Sequence, residues 1–161
     1  MNLGKCLQVR ALPLIKKVLV AVDGSENSDR ALDLALDLAG KYGASVLLLN
    51  VFQLPPVYGY PDEPIAYQTN ASAFIHDLRK VHLKILSKAA KKAADLNPAL
   101  RVSIELKEGD PPSQIVETAS QGQFDVIVLG HRGWSRIREL FLGSTSERVA
   151  HMAKCAVLIA K

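Results

Sequence analysis

The strongest constraint on this chain is the run Lys16-Lys17-Val18-Leu19-Val20-Ala21-Val22, apolar from Val18 onward and closed by Asp23-Gly24-Ser25. A strand without a polar face must be covered on both sides, which is the mark of a parallel sheet wrapped by helices. From Ser28 to Tyr42, Leu32, Ala35, Leu36 and Ala39 recur at helical spacing, and Gly43 is placed to end the helix in a left-handed conformation. A second apolar strand, Ser45 to Phe52, follows at once and completes a β-α-β unit.

The pattern continues through the rest of the chain. Gln53 to Asn70 carries Pro55, Pro56, Pro61 and Pro64 among tyrosines and reads as a long surface loop. A long helix is expected over Ala73 to Leu96, stopped by Asn97-Pro98. Arg101 to Lys107 alternates as a half-exposed strand near a sheet edge. Asp110 reads as the cap of a helix that opens on Pro111 and ends near Gly122. Asp125 to Leu129 is another buried strand, then come a glycine-punctuated segment, a helix from Ser144 to Met152 and a last strand, Ala156 to Ala160. The expectation is one open, five-stranded parallel sheet with helices on both faces and right-handed crossovers. Residues 1–15 form an N-terminal extension and 16–161 a single domain.

Composition narrows the class. With 161 residues, 48% hydrophobic and 22% charged, the chain is an ordinary globular protein and neither disordered nor fibrous. No apolar run reaches the roughly 18 residues of a membrane span, and Leu7 to Ile15, broken by Arg10 and Pro13, does not read as a signal peptide. Two cysteines, Cys6 and Cys155, are too few for a disulfide scaffold and favour a cytoplasmic setting. The net charge of +4 is too mild to argue for nucleic acid.

Ligands of such sheets bind beyond the carboxyl ends of the strands, so the loops after Val22, Val51 and Leu129 are the places to search. The third loop reads Gly130-His131-Arg132-Gly133, then nine residues, then Gly143-Ser144-Thr145-Ser146. Glycines after a buried strand admit a ligand to the backbone, and amides with hydroxyls where a helix begins suit phosphate. The plainer alternative makes Gly130 and Gly133 a turn and Ser144 a helix cap. No lysine follows the glycine as in a Walker loop, and no G-x-G-x-x-G follows the first strand, which argues against P-loop phosphotransferases and dinucleotide dehydrogenases.

Gly130-x2-Gly133-x9-Gly143-Ser144-Thr145 resembles the ATP-binding signature of the universal stress protein family. Val20 to Ser25 with Ser28 and Ala31-Leu32, Gly109-Asp110-Pro111 with Ile115 and Ala119, and Phe124 to Gly130 match that family in order and spacing, so the likeness spans 16–161. It implies a Rossmann-like, adenine nucleotide alpha hydrolase-like fold that binds ATP, with Mg2+ or Mn2+ held through the phosphates. By the resemblance, Asp23 meets the ribose, Ala21 and Val22 lie beside the base, and Val51 presents its backbone to the adenine edge. Gly130 and Gly133 line ribose and phosphates, while Gly143, Ser144, Thr145 and Ser146 cradle the phosphates; Arg132, within the same glycine segment, is a candidate for a phosphate contact, the plainer reading being a surface charge. The resemblance also points to a homodimer through the final strand, although Ala156 stands where the family commonly has proline.

Other candidates have plainer readings. Asp29, Asp33 and Asp37 read as a solvated helix face opposite the leucines. His76 and His82 lie on different faces and share no metal; His151 and Cys155 are divided between a helix and a strand. Lys80, Lys84, Lys88 and Lys91 read as a wet face, Trp134 as a packing anchor, and Arg136 and Arg138 as surface charges. No catalytic residue or metal site is assigned, because Asp23 and the hydroxyls of Ser144, Thr145 and Ser146 lack an evident activating partner. By the resemblance, a cytoplasmic, nucleotide-dependent regulatory module of the stress response is expected, with a slow ATPase or autophosphorylating phosphotransferase as the alternative. A nucleotidyl transferase is disfavoured, since Asp23 to Ser28 carries neither a histidine pair nor a lysine signature.

Overall fold

The computed structural model describes residues 15–54, 66–133 and 142–161, with 66–71 as backbone only. The N-terminal extension up to residue 14, most of the proline-tyrosine segment, and Trp134, Arg136 and Arg138 lie outside the described residues. In chain order the elements are β1 (Lys17–Ala21), α1 (Glu26–Tyr42), β2 (Ser45–Phe52), α2 (Ala66–Leu96), β3 (Val102–Glu108), α3 (Pro111–Gln121), β4 (Val126–Gly130), α4 (Ser144–Met152) and β5 (Ala156–Ala160). The strands form one five-stranded sheet in the order β3-β2-β1-β4-β5, parallel throughout. This is the fold class expected from the alternation of apolar strands and amphipathic helices.

The period of two along each strand divides the core. Val18, Val20, Val46, Leu48, Val126 and Val128 face Leu32, Ala35 and Leu36 of α1 and Leu86 of α2. Leu19, Leu47, Leu49, Ile127 and Leu129 face Ile115 and Ala119 of α3 and Val149 of α4. Val18, Leu19 and Val20 have no exposed surface at all, as a central strand covered on both faces requires. The alternating strand β3 lies at a sheet edge, where half-burial is expected.

Two helix starts and one cap differ from the sequence pattern, each for a local reason. α1 starts at Glu26, two residues before Ser28, because the Ser25 hydroxyl accepts the Ser28 N–H at 3.2 Å and caps the helix there. α2 starts at Ala66, inside the segment read as loop; Pro64 is the last proline of that segment, and nothing between it and Asn97 forbids a helix. α4 spans Ser144–Met152 as expected, but Gly143 occupies its N-cap position and supplies no side-chain bond, so Ser144 is not the cap.

Gly130 ends β4 where α1 crosses it. A Cβ there would stand 2.7 Å from the Asn27 carbonyl carbon and 2.8 Å from its oxygen, so this glycine lets a helix backbone approach a strand. Gly130→Ala should therefore cost about 1–3 kcal/mol of stability by urea unfolding. An unchanged unfolding midpoint would show that Gly130 is not a packing residue.

Candidate functional site

From β1 the chain moves to β2 and β3 on one side, whereas β4 and β5 add on the other, so the order reverses between β1 and β4. Beyond the carboxyl ends of those strands lies a cleft holding about 610 Å³, part of it open to solvent. Its walls are Ala21, Val22 and Asp23 after β1, Leu49 and Val51 of β2, Leu129 and Gly130 of β4, and Arg132 and Gly133. Ser28 of α1, Pro111 and Ile115 of α3, and Thr145 and Ser146 of α4 complete it. Ala21, Val22, Asp23, Val51, Gly130, Arg132, Gly133, Thr145 and Ser146, all singled out in the sequence, thus meet around one space.

Gly143 and Ser144 are not among the residues lining that space. The Gly143 N–H donates to the His131 carbonyl at 2.7 Å, and a Cβ on Gly143 would lie 3.2 Å from the Arg132 Cα, so Gly143 backs the loop. The sequence does not single out Leu49, Leu129, Pro111 or Ile115 as lining residues. Leu49 was legible in principle, since it precedes Val51 by two and shares its face.

The turn after β1 is held by its own polar groups. The Asp23 Oδ1 accepts the Ser25 N–H at 2.9 Å, and the Ser28 hydroxyl donates to the Ser25 carbonyl at 2.9 Å. Gly24 adopts φ +81°, and its missing Cβ leaves room for Ile85 of α2. A Cβ on Gly133 would press against the Asp23 carboxylate, so that glycine lets the two loops meet.

On the opposite wall, the first helical bond of α4 is Glu147 N–H to Gly143 C=O at 2.9 Å. The N–H groups of Ser144, Thr145 and Ser146 precede it and carry the positive end of the helix dipole. The Ser146 hydroxyl donates its only proton to the Gly130 carbonyl at 2.7 Å, leaving that oxygen as an acceptor alone. Arg148 fastens α4 to α3 by two bonds to the Asp110 carboxylate, at 2.9 and 3.0 Å. Arg148 first, then Ser113, holds the Asp110 carboxyl down to about 2.

Along β2 the odd-numbered peptide groups face β1: the Ser45 N–H donates to the Lys16 carbonyl, and the Leu49 carbonyl accepts from the Val22 N–H, both at 2.9 Å. Val51 has the same parity, so its N–H and C=O face the same side, past the end of β1 at Ala21. Away from the cleft, Asp29 and Asp33 are bridged by Lys92 of α2 at 2.9 and 2.6 Å, so the acidic face of α1 is partly an interhelical ion pair. Among the described residues no group of three or more His, Cys, Asp or Glu is arranged to hold a metal ion.

The profile of the universal stress protein family matches residues 14–161. The chain belongs to the universal stress protein family. It is 34% identical over 152 residues to universal stress protein YxiE of Bacillus subtilis, covering 92% of this chain and 100% of that protein. The structure of universal stress protein UspA from Lactobacillus plantarum matches with a TM-score of 0.76 and 26% identity, covering 91% of this chain and 98% of that one. A universal stress protein solved in complex with cAMP matches with a TM-score of 0.69 and 26% identity, over 92% and 98% of the two chains.

The Asp110–Arg148 pair of this universal stress protein carries a pH signature. A carboxyl held below its ordinary 3.8 contributes stability that is present above that value and is lost as pH falls from 3.8 towards about 2. In the Arg148→Gln variant, carboxyl NMR should find Asp110 titrating closer to 3.8, with acid unfolding starting at higher pH. An unmoved Asp110 titration would mean that the ion pair does not form in solution.

Proposed function

We propose that this chain is an adenine-nucleotide-binding regulatory module of the stress response, taking ATP in the cleft at the ends of β1, β2 and β4. The observation that carries this reading is the composition of that cleft. It joins a strand edge at Val51, the Asp23 carboxylate and the first turn of α4 around one space. The base would lie against Ala21, Val22 and Ile115, with its edge on the Val51 peptide groups. Ribose hydroxyls would donate to Asp23, and phosphate oxygens would accept from the amides of Ser144 to Ser146, the Thr145 hydroxyl and Arg132. A divalent ion, Mg2+ or Mn2+, would ride on the phosphate oxygens. The match to a universal stress protein bound to cAMP supports the reading, since cAMP is itself an adenine nucleotide.

Binding is favoured over turnover. Ser146 has its hydroxyl proton engaged by the Gly130 carbonyl, which is poor preparation for a nucleophile at the γ-phosphate. The working form in this proposal is cytoplasmic and a homodimer. Its natural contact is β5, an edge strand of apolar sequence whose residues Val157, Leu158 and Ile159 stay half-exposed. Among the described residues no helix is long and apolar enough to cross a membrane.

Calorimetry with ATP tests the binding reading. Asp23→Ala should weaken ATP roughly ten- to hundredfold, the loss expected for charge-assisted bonds to ribose hydroxyls. Asp23→Asn keeps an acceptor for the Ser25 N–H, so it should weaken ATP about tenfold while melting as the parent does. Parental affinity in both variants would remove Asp23 from the site. Light scattering at micromolar concentration should find a dimer; a monomer would refute the β5 contact.

A further inference from the structure

Asn50 is a polar residue in the apolar strand β2, with 1% of its surface exposed. A buried amide is tolerated when its polar atoms find partners, and here one bond engages its nitrogen and another its oxygen. Its Nδ2 donates to the Val22 carbonyl at 2.6 Å, and its Oδ1 lies 2.7 Å from Nδ1 of His82 on α2. The orientation is dictated by chemistry: a carbonyl only accepts, so the NH2 group faces Val22 and the amide oxygen faces His82. His82 must then carry its proton on Nδ1 and donate. Its ring stacks on Phe52, with centroids 5.2 Å apart and planes 28° from parallel. Burial lowers the His82 pKa, in keeping with a neutral ring held as one tautomer.

The Val22 carbonyl is not an arbitrary acceptor. The β1–β2 ladder runs through Ser45 N–H to Lys16 C=O and Val22 N–H to Leu49 C=O, and its next step would send the Val51 N–H to the Val22 carbonyl. Asn50 takes that carbonyl instead. We infer that Asn50, locked by His82, is a positioning residue for ligand specificity. It ends the ladder one bond early and leaves the Val51 N–H turned to the cleft as a donor for an unprotonated ring nitrogen. The favoured ligand class is then a nucleotide whose base offers a ring-nitrogen acceptor on its pairing edge, as adenine does. Guanine, which presents an N–H at that position, is disfavoured. The ligand half of this inference rests on the adenine-nucleotide reading above; the ladder half does not.

Amide hydrogen exchange on the full chain without nucleotide tests the ladder half. In the parent, the Val51 N–H should exchange much faster than that of Leu49. In Asn50→Leu, which frees the Val22 carbonyl, Val51 protection should rise about tenfold or more as the ladder closes. Calorimetry with ATP and GTP tests the ligand half: the preference for ATP should fall about tenfold in the variant, through weaker ATP and unchanged GTP binding. A fold defect alone would weaken both nucleotides together. His82→Phe, which keeps a ring against Phe52 but removes the donor, should move both readouts in the same direction by less, and it serves if Asn50→Leu does not fold. Val51 as protected as Leu49 in the parent, or exchange unchanged in both variants, would overturn the inference. A parent that binds no adenine nucleotide would sink the adenine reading, while the exchange contrast would still decide the role of Asn50.

Discussion

The rest of the molecule depends on the burial of β1 on both faces and its pairing on both edges. Val18, Leu19 and Val20 are wholly removed from water, worth about 1.5–3 kcal/mol for each large aliphatic side chain. Two packed layers are needed to achieve that. With right-handed crossovers, the connections from β1 through β3 place α1 and α2 on one face. The return past β1 to β4 and β5 places α3 and α4 on the other. A cleft beyond the carboxyl ends of β1 and β4 follows from this geometry, because the connecting segments depart from those two ends in opposite directions. What remains specific to this chain is the chemistry placed around it.

That chemistry is arranged mainly by the main chain. Glycines at 24, 130, 133 and 143 bring backbones or a carboxylate close to their neighbours, and in each case a side chain would meet a named atom nearby. Side chains near the cleft act on backbone carbonyls or amides, among them Asp23 on the Ser25 N–H, Ser28 on the Ser25 carbonyl, Ser146 on the Gly130 carbonyl, and Asn50 on the Val22 carbonyl. Arg148, midway along α4, bonds Asp110 at the cap of α3, which joins the two helices that supply Pro111, Ile115, Thr145 and Ser146 to the cleft wall.

Much of this was legible in the sequence because it rests on local signals. Period-two and period-3.6 apolar patterns placed the strands and helices, Asp110 announced the cap of α3, and the alternation in β3 announced an edge strand. The resemblance to the universal stress protein signature also named most of the cleft-lining residues, though not what each one touches. Gly130, read from its place in a phosphate-type loop, turns out to be pressed by Asn27 as well. The Asn50–His82 pair was not legible, because its partners are 32 positions apart and its meaning depends on the register of β1 against β2. The Lys92 bridge to Asp29 and Asp33 is hidden for the same reason: helix spacing orders residues within α1 but does not say which face of α2 will lie against it.

The nucleotide proposed above lies across the ends of β1, β2 and β4, with its phosphates at the start of α4. Mapping amide shifts during an ATP titration tests that placement most directly. Large shifts are expected at Val51, Gly133 and Ser144 to Ser146, with little change at Lys84 and Lys88 in the adjoining groove between α1 and α2. Shifts confined to that groove, or absent from Val51 and the first turn of α4 at saturating ATP, would contradict it.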